Sequence, residues 1–229
     1  MTDSAYIRTS ELCRYYRRGP HEVKALDDVS VEIQRGEYVA LLGASGSGKT
    51  TLLNLLAGLD TPSSGAVYFD GASLTTMSRK ELSAYRARSV GMIFQSFNLI
   101  THYTALQNVE AALLFTGAQA PERRRRAGEI LERLGLADRL THRPADLSGG
   151  EQQRVAVARA IVKGPEILFA DEPTGNLDEE NSHVISGLLR EYNAGGLTLV
   201  LVTHNGEMAR AEASRIVRMH YGRVAGEAA

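Results

Sequence analysis

The stretch "GASGSGKT", Gly43 to Thr50, constrains this chain more than any other. It fits the pattern of a glycine, four residues, then Gly-Lys-Thr. It follows "EYVALLG" (Glu37–Gly43), which reads as a buried strand entered through a turn at "QRGE". It opens a run from Lys49 to Gly58 with leucines at 52, 53, 55, 56 and 59, which reads as a largely buried helix. A strand, a glycine loop and a helix in that order form a phosphate cradle. Gly43, Gly46 and Gly48 let the backbone wrap closely with its N–H groups turned inward. Lys49 offers a point charge to the β- and γ-phosphates, and Thr50 a hydroxyl to Mg²⁺. Ala44, Ser45, Ser47 and Thr51 complete the expected contact set.

The rest of the chain supplies partners for such a loop. Short apolar runs alternate with helical stretches, which implies an α/β core. "VSVEI", "GAVYFDG", "VGMIF" and "LTLVLVTH" read as strands, and "RIVRMHYGRVAG" as a hairpin turning at Tyr221-Gly222. In "ILFADE", Asp171 emerges at the C-terminal end of a buried strand, where ligands of open α/β sheets bind and a carboxylate can hold Mg²⁺. Glu172 follows, placed to orient or deprotonate a water. "EPTGNLD" then reads as a tight loop ending in Asp178, and His204 ends a further apolar strand. "LSGGEQQRVAVARA" (Leu147–Ala160) is harder to place. Locally it is a second anion-receiving helix start, yet one ATP does not need two cradles.

Composition removes several other classes. A chain of 229 residues suits one sizeable domain, or a domain with a subdomain insert. The formal net charge of -1 gives no electrostatic case for nucleic acid. Cys13 is the sole cysteine, so no internal disulfide can form, and it reads as structural. The first ten residues lack an apolar core and show no secretory signal. No apolar run approaches the roughly 20 residues of a membrane helix. Arg123–Arg126 lie among Glu122, Glu129 and Glu132 on a helix opened by Pro121, and read as a solvated face.

Taken together these motifs resemble the nucleotide-binding subunit of an ABC transporter, over nearly the whole chain and in the family's order. The resemblance implies a P-loop NTPase core of the ABC type with an antiparallel β subdomain and a helical subdomain insert. Residues 1–95 and 166–229 would form the core and β subdomain, and about 96–165 the helical insert. It makes Gly43–Thr50 the Walker A loop, Gln95 the Q-loop glutamine and a neighbour of Mg²⁺, and "LSGGEQ" the signature. Asp171 would end Walker B, Glu172 fill the catalytic position, Asp178 end the D-loop and His204 be the H-loop histidine. Tyr16, ahead of the first predicted strand, would stack on adenine; Tyr15 is the alternative. Ser148, Gly149, Gly150 and Gln152 would face ATP held by a second copy, in a head-to-tail pair. "GASGSGKTTLLNLLAGLDTPSSG" and "ADEPTGNLD" are similar to the group of lipoprotein-release, macrolide-exporter and FtsE-type cell-division ATPases. That group implies a separate transmembrane permease, a place on the inner face of the cytoplasmic membrane, and export, extraction or force transmission. The surface from Gln95 to Tyr103 would meet the permease. Asn205 stands where the family often has Asp.

Overall fold

The computed structural model describes residues 5–19 and 21–228, so part of the leader-free reading, residues 1–4, lies outside the described residues. The chain divides into two compact units, Met1–Arg86 with Tyr192–Ala229, and Ala87–Glu191.

The first unit holds two sheets. In the first, β1 (Ile7–Arg18) pairs antiparallel with β2 (His21–Val29), β3 (Glu32–Ile33) and β5 (Ser64–Phe69). The short β6 (Ala72–Ser73) adds to β5. The second sheet is built on β4 (Tyr38–Leu42), flanked in parallel by β9 (Thr198–Thr203) and β10 (Arg215–His220). β11 (Arg223–Ala228) closes the edge antiparallel to β10. Tyr221 and Gly222 turn that hairpin with φ of 46° and 75°. Positive φ at both central residues matches the right-handed twist of the strands it joins. α1 (Lys49–Leu56) follows β4 and buries Leu52, Leu53, Leu55 and Leu56. Leu59 does not join them: it lies beyond the helix end and is 51% exposed. α7 (Gly206–Glu212) follows β9.

The largest difference from the sequence expectation is at the start. Tyr15 and Tyr16 do not precede a strand; both lie inside β1, opposite Lys24 and Val23. Register shifts at Leu12/Arg14 and Arg14/Tyr15 break the two-residue alternation, and β2 is largely exposed. A bulged, half-wet hairpin leaves little apolar pattern to read.

After α2 (Arg79–Arg88), the second unit pairs β7 (Val90–Ile93) in parallel with β8 (Ile167–Asp171). Between them run α3 (Ala105–Ala111), α4 (Ala120–Arg133) and α5 (Gly149–Ile161), and α6 (Glu179–Ala194) follows β8. On α4, Arg125 pairs with Glu122 and Glu129, Arg123 donates to the Ala118 carbonyl and Arg126 to the Val162 carbonyl. Three of the four arginines in the run are thus tied to their own surroundings. α5 packs close to the strands. A Cβ on Gly91 of β7 would stand 2.8 Å from the Ala160 carbonyl oxygen and 2.8 Å from Leu168 Cδ1.

That approach has a measurable consequence. Gly91→Val should cost about 1–3 kcal/mol by overpacking. In a chain of this size each kcal/mol lowers the melting temperature by about 2–4 °C. A melt unchanged from wild type would show that the helix–strand contact yields freely.

Candidate functional site

The phosphate loop is shaped by backbone proximity. β4 is buried between β9 and β10 and delivers Gly43, whose amide donates to the Thr203 carbonyl at 3.4 Å. His204 therefore leaves β9 beside the point where the loop leaves β4. A side chain on Gly43 would run into the Met219 carbonyl and lie 2.6 Å from Ser47 Oγ. On Gly48, at φ 99°, it would run into the Ala25 carbonyl. The Gly222 amide braces the loop from outside by donating to the Ser47 carbonyl at 3.0 Å. Lys49 is buried at 7% exposure, and its Nζ donates to the Gly43 and Ala44 carbonyls at 2.8 Å. α1 starts with no side-chain cap and no acidic residue in its first turn. A first turn without an acid, beside the lysine charge, suits a polyanion.

Asn205 has a plain local reason. Its Oδ1 accepts from the Glu207 and Met208 amides at 2.9 and 3.1 Å and caps α7. Asn does this about as well as Asp.

The two tyrosines of β1 point to opposite faces, as neighbours on a strand do. The Tyr16 hydroxyl donates to Asp60 Oδ2 at 2.7 Å. Arg14 grips the same carboxylate with two hydrogen bonds, 2.9 and 2.7 Å, and lies 4.5 Å over the Tyr16 ring. Partial burial would raise the Asp60 carboxyl, but the Tyr16 hydroxyl, the Thr61 amide and Arg14 together hold it below its ordinary value. Tyr15 instead donates to Asp27 at 2.7 Å.

The second unit gathers Gln95, Asp171, Glu172, Asp178 and the signature stretch. Asp171 ends the buried β8. Glu172 sits at φ 46°, in the left-handed region, uncommon for a residue with a Cβ. The Gly175 amide donates to the Glu172 carbonyl at 3.0 Å, and the next carbonyl, of Pro173, accepts from Gln153 Nε2 on α5. Asn176 Nδ2 donates to the Gln95 carbonyl at 2.9 Å, tying the exposed Gln95 to this loop. Just beyond, Phe97 and Asn98 are both left-handed, at φ 59° and 49°. Arg159 of α5 donates to both of their carbonyls. Ile100, within the stretch proposed above to meet a permease, is partly exposed at 36%.

The signature stretch differs in kind from the phosphate loop. Ser148 caps α5: its hydroxyl accepts from the Glu151 amide at 3.2 Å, and Glu151 accepts from the Ser148 amide at 2.8 Å. Arg139 holds the same carboxylate at 2.8 Å. The start of α5 is thus already capped and carries an acid, where α1 is bare. Gln152 is spent locally, donating to the Leu147 carbonyl at 3.1 Å. Gly150 has no room for a Cβ because the Asn181 side chain lies against it. Asn181 donates to Asp178 at 2.9 and 3.0 Å and accepts from Arg154 at 3.2 Å. The sequence does not point to Gln153, Arg154, Arg159 or Asn181. For the first three the visible signal is polarity on a helix whose residues Val155 to Ala158 are wholly buried, and Asn181 lies in the first turn of α6 with no such signal.

A glycine loop that admits no side chain at two positions, ends in a buried lysine and opens an uncapped helix defines a P-loop nucleotide-binding protein. The chain belongs to the ABC transporter family, whose model matches residues 26–175, and is an ATP-hydrolysing cassette of it. It is 48% identical over 94% of its length to an uncharacterized ABC transporter ATP-binding protein of Thermotoga maritima, covering 92% of that protein. It is 43% identical over 98% of its length to the macrolide export ATP-binding/permease protein MacB of Brucella melitensis, but spans only 34% of that relative. Among solved structures it is similar to the ATP-binding cassette MJ0796 in a dimeric post-hydrolysis state bound to ADP and Pi. That match has a TM-score of 0.91 and 40% identity, over 97% of both chains.

The cap on α5 can be tested by pH. The Ser148 amide first, then Arg139 and the Ser148 hydroxyl, outweigh partial burial and hold the Glu151 carboxyl below its ordinary 4.5. A depressed folded value stabilises above the unfolded one and is lost as pH falls through it. Glu151→Ala should therefore cost about 1 kcal/mol near neutral pH. The gap from wild type in urea melts should close as the pH drops below that ordinary value. A gap that persists in acid would mean the carboxylate is not its source.

Proposed function

We propose that this chain is the ATP-driven cassette of a membrane complex for export or extraction, working as a head-to-tail pair of copies. The observation that carries it is the contrast between the two glycine-rich helix starts. α1 is bare, with Lys49 at its head, and suits the triphosphate; α5 is capped and suits only a supplementary contact. The dimeric state of MJ0796 and the combined ATP-binding/permease nature of MacB support the pair and the permease partner. Among the described residues no helix is long and apolar enough to cross a membrane. The reading places the chain on the inner membrane face through that permease. It also assigns about residues 96–165 to a helical subdomain.

In this reading the amides of Gly43–Thr51 and Lys49 hold the β- and γ-phosphates, and Tyr16 stacks on adenine with the ring face that Arg14 leaves open. Thr50, Asp171 and Gln95 offer the hard oxygen donors that suit Mg²⁺. No group of three or more His, Cys, Asp or Glu among the described residues forms a metal cage of its own. That fits an ion bound largely through phosphates and waters. Mg²⁺ would neutralise charge on the phosphate oxygens. Glu172 accepts a proton as the water oxygen bonds to the γ-phosphorus and the bridging oxygen leaves with ADP. His204 donates to the γ-phosphate. Ser148, Gly149 and Gly150 of one copy, with Asp178 nearby, close over the nucleotide of the other. ATP then favours the closed pair and hydrolysis releases it.

Two variants test this. Glu172→Gln should bind ATP, accumulate dimer on size exclusion and lose at least about a hundredfold in turnover, in the range expected for loss of a general base. Unchanged turnover would remove Glu172 from the chemistry. Ser148→Arg should bind nucleotide as a monomer with near-native affinity yet not hydrolyse it. Normal hydrolysis by that variant would dismiss closure by a second copy.

A further inference from the structure

Gln153 stands where a polar side chain is hardest to justify. It is 0% exposed, on the stretch of α5 that buries Val155, Ala156, Val157 and Ala158 completely. A buried amide costs stability unless both its ends are satisfied. Only one end is: Nε2 donates to the Pro173 carbonyl, while Oε1 accepts nothing among the described residues. An apolar residue of the same volume would avoid that orphan. The hydrogen bond that remains is therefore the reason to look for a task.

Its acceptor is one residue past Glu172. Glu172 is held at φ 46°, a conformation that costs an L-residue about 1–2 kcal/mol and persists only when the surroundings impose it. The surroundings impose it from two sides. The Gly175 amide holds the Glu172 carbonyl at 3.0 Å, and Gln153 holds the carbonyl of Pro173. The Gly175 bond fixes the peptide plane that follows the Glu172 Cα, and Gln153 fixes the next one. On the other side β8 ends at Asp171, so the chain is held before and after Glu172 and the direction of its Cα–Cβ bond is set. A carboxylate that must meet a water in line with a phosphate gains most from such pre-set direction, because small misplacements are costly in rate.

We propose that Gln153 is a positioning residue for the hydrolysis step, acting through the backbone of Pro173 on the angle of the Glu172 carboxylate. This rests on the reading of Glu172 as the group that accepts the water's proton. It goes beyond that reading by giving α5, whose first turn would face the nucleotide of a second copy, a direct hold on the base of its own copy.

The test is a double-mutant cycle on the steady-state kinetics of ATP hydrolysis, with a radiolabelled assay sensitive enough for slow variants. Gln153→Met keeps the volume and removes the donor. It should lower kcat about tenfold while leaving the KM for ATP within about twofold. In the Glu172→Gln background it should change the residual rate by less than about twofold, since the group it orients is already gone. An equal fall in both backgrounds would overturn the proposal, and so would a lower melting temperature with kcat unchanged, which marks a purely structural tie. Gln153→Asn, which keeps the amide but withdraws it by one methylene, gives the same discrimination if the Met variant does not fold. If Glu172→Gln alone hydrolyses ATP like wild type, it is the catalytic reading of Glu172 that fails, separately from the role of Gln153.

Discussion

The phosphate loop depends on two places where backbone meets backbone too closely for any side chain. Gly43 lies against the Met219 carbonyl and Gly48 against the Ala25 carbonyl. The surrounding strands are fastened to the same spot, because the Gly222 amide donates to the Ser47 carbonyl and the Asp27 amide to the Gly222 carbonyl. β2, the β10–β11 turn and the loop are thereby one assembly. The left-handed conformation of Gly48 turns the chain into α1 without a side-chain cap. Lys49, folded onto the loop carbonyls, keeps its charge at the same place.

The second unit is organised on a different principle. Its site segments are not squeezed into place but held from one helix. α5 grips Pro173 with Gln153, Asn181 with Arg154, and Phe97 with Asn98 through Arg159. The loops it holds include three left-handed non-glycine residues, Phe97, Asn98 and Glu172. Such conformations are retained only where neighbours over-determine them. α5 can do so because it is itself immobilised by the buried run from Val155 to Ala158 and by its close approach to Gly91.

This division explains what the sequence could reveal. The loop Gly43–Thr50, the strands β4, β8 and β9, and the Tyr221-Gly222 turn were legible because each rests on a local pattern: continuous apolar runs, glycine spacing, turn residues. The hairpin of β1 and β2 was not, since register shifts and exposure erase its alternation, and so Tyr16 was placed ahead of a strand it belongs to. The leucine pattern extends to Leu59, past a helix that stops at Leu56, and Leu59 lies exposed beyond it. Gln153 and Arg159 were invisible for a deeper reason. Their partners are backbone carbonyls at Pro173, Phe97 and Asn98, and a carbonyl leaves no mark on the residue that carries it. Asp60 was missed similarly: it lies far along the chain from the Tyr16 it anchors.

The two glycine-rich helix starts now separate on electrostatic grounds. A helix start has about four unpaired amides. In α5 the box between Ser148 and Glu151 consumes two of them and brings a carboxylate, held ionised by the Ser148 amide and Arg139. Among the described residues of this helix start, the Gly149 and Gly150 amides are what the box leaves to meet an anion. That is too little to compete with α1, which has no cap, no acid and a buried lysine. A lone copy therefore has one triphosphate site. In the proposed pair, α5 adds its few donors only to a nucleotide already held by the other copy's loop. Those few donors are what ATP gains on closure and does not have in a lone copy, and a ligand shifts an equilibrium only by its differential affinity for the two states; once the γ-phosphate is cleaved that difference falls and the pair can open.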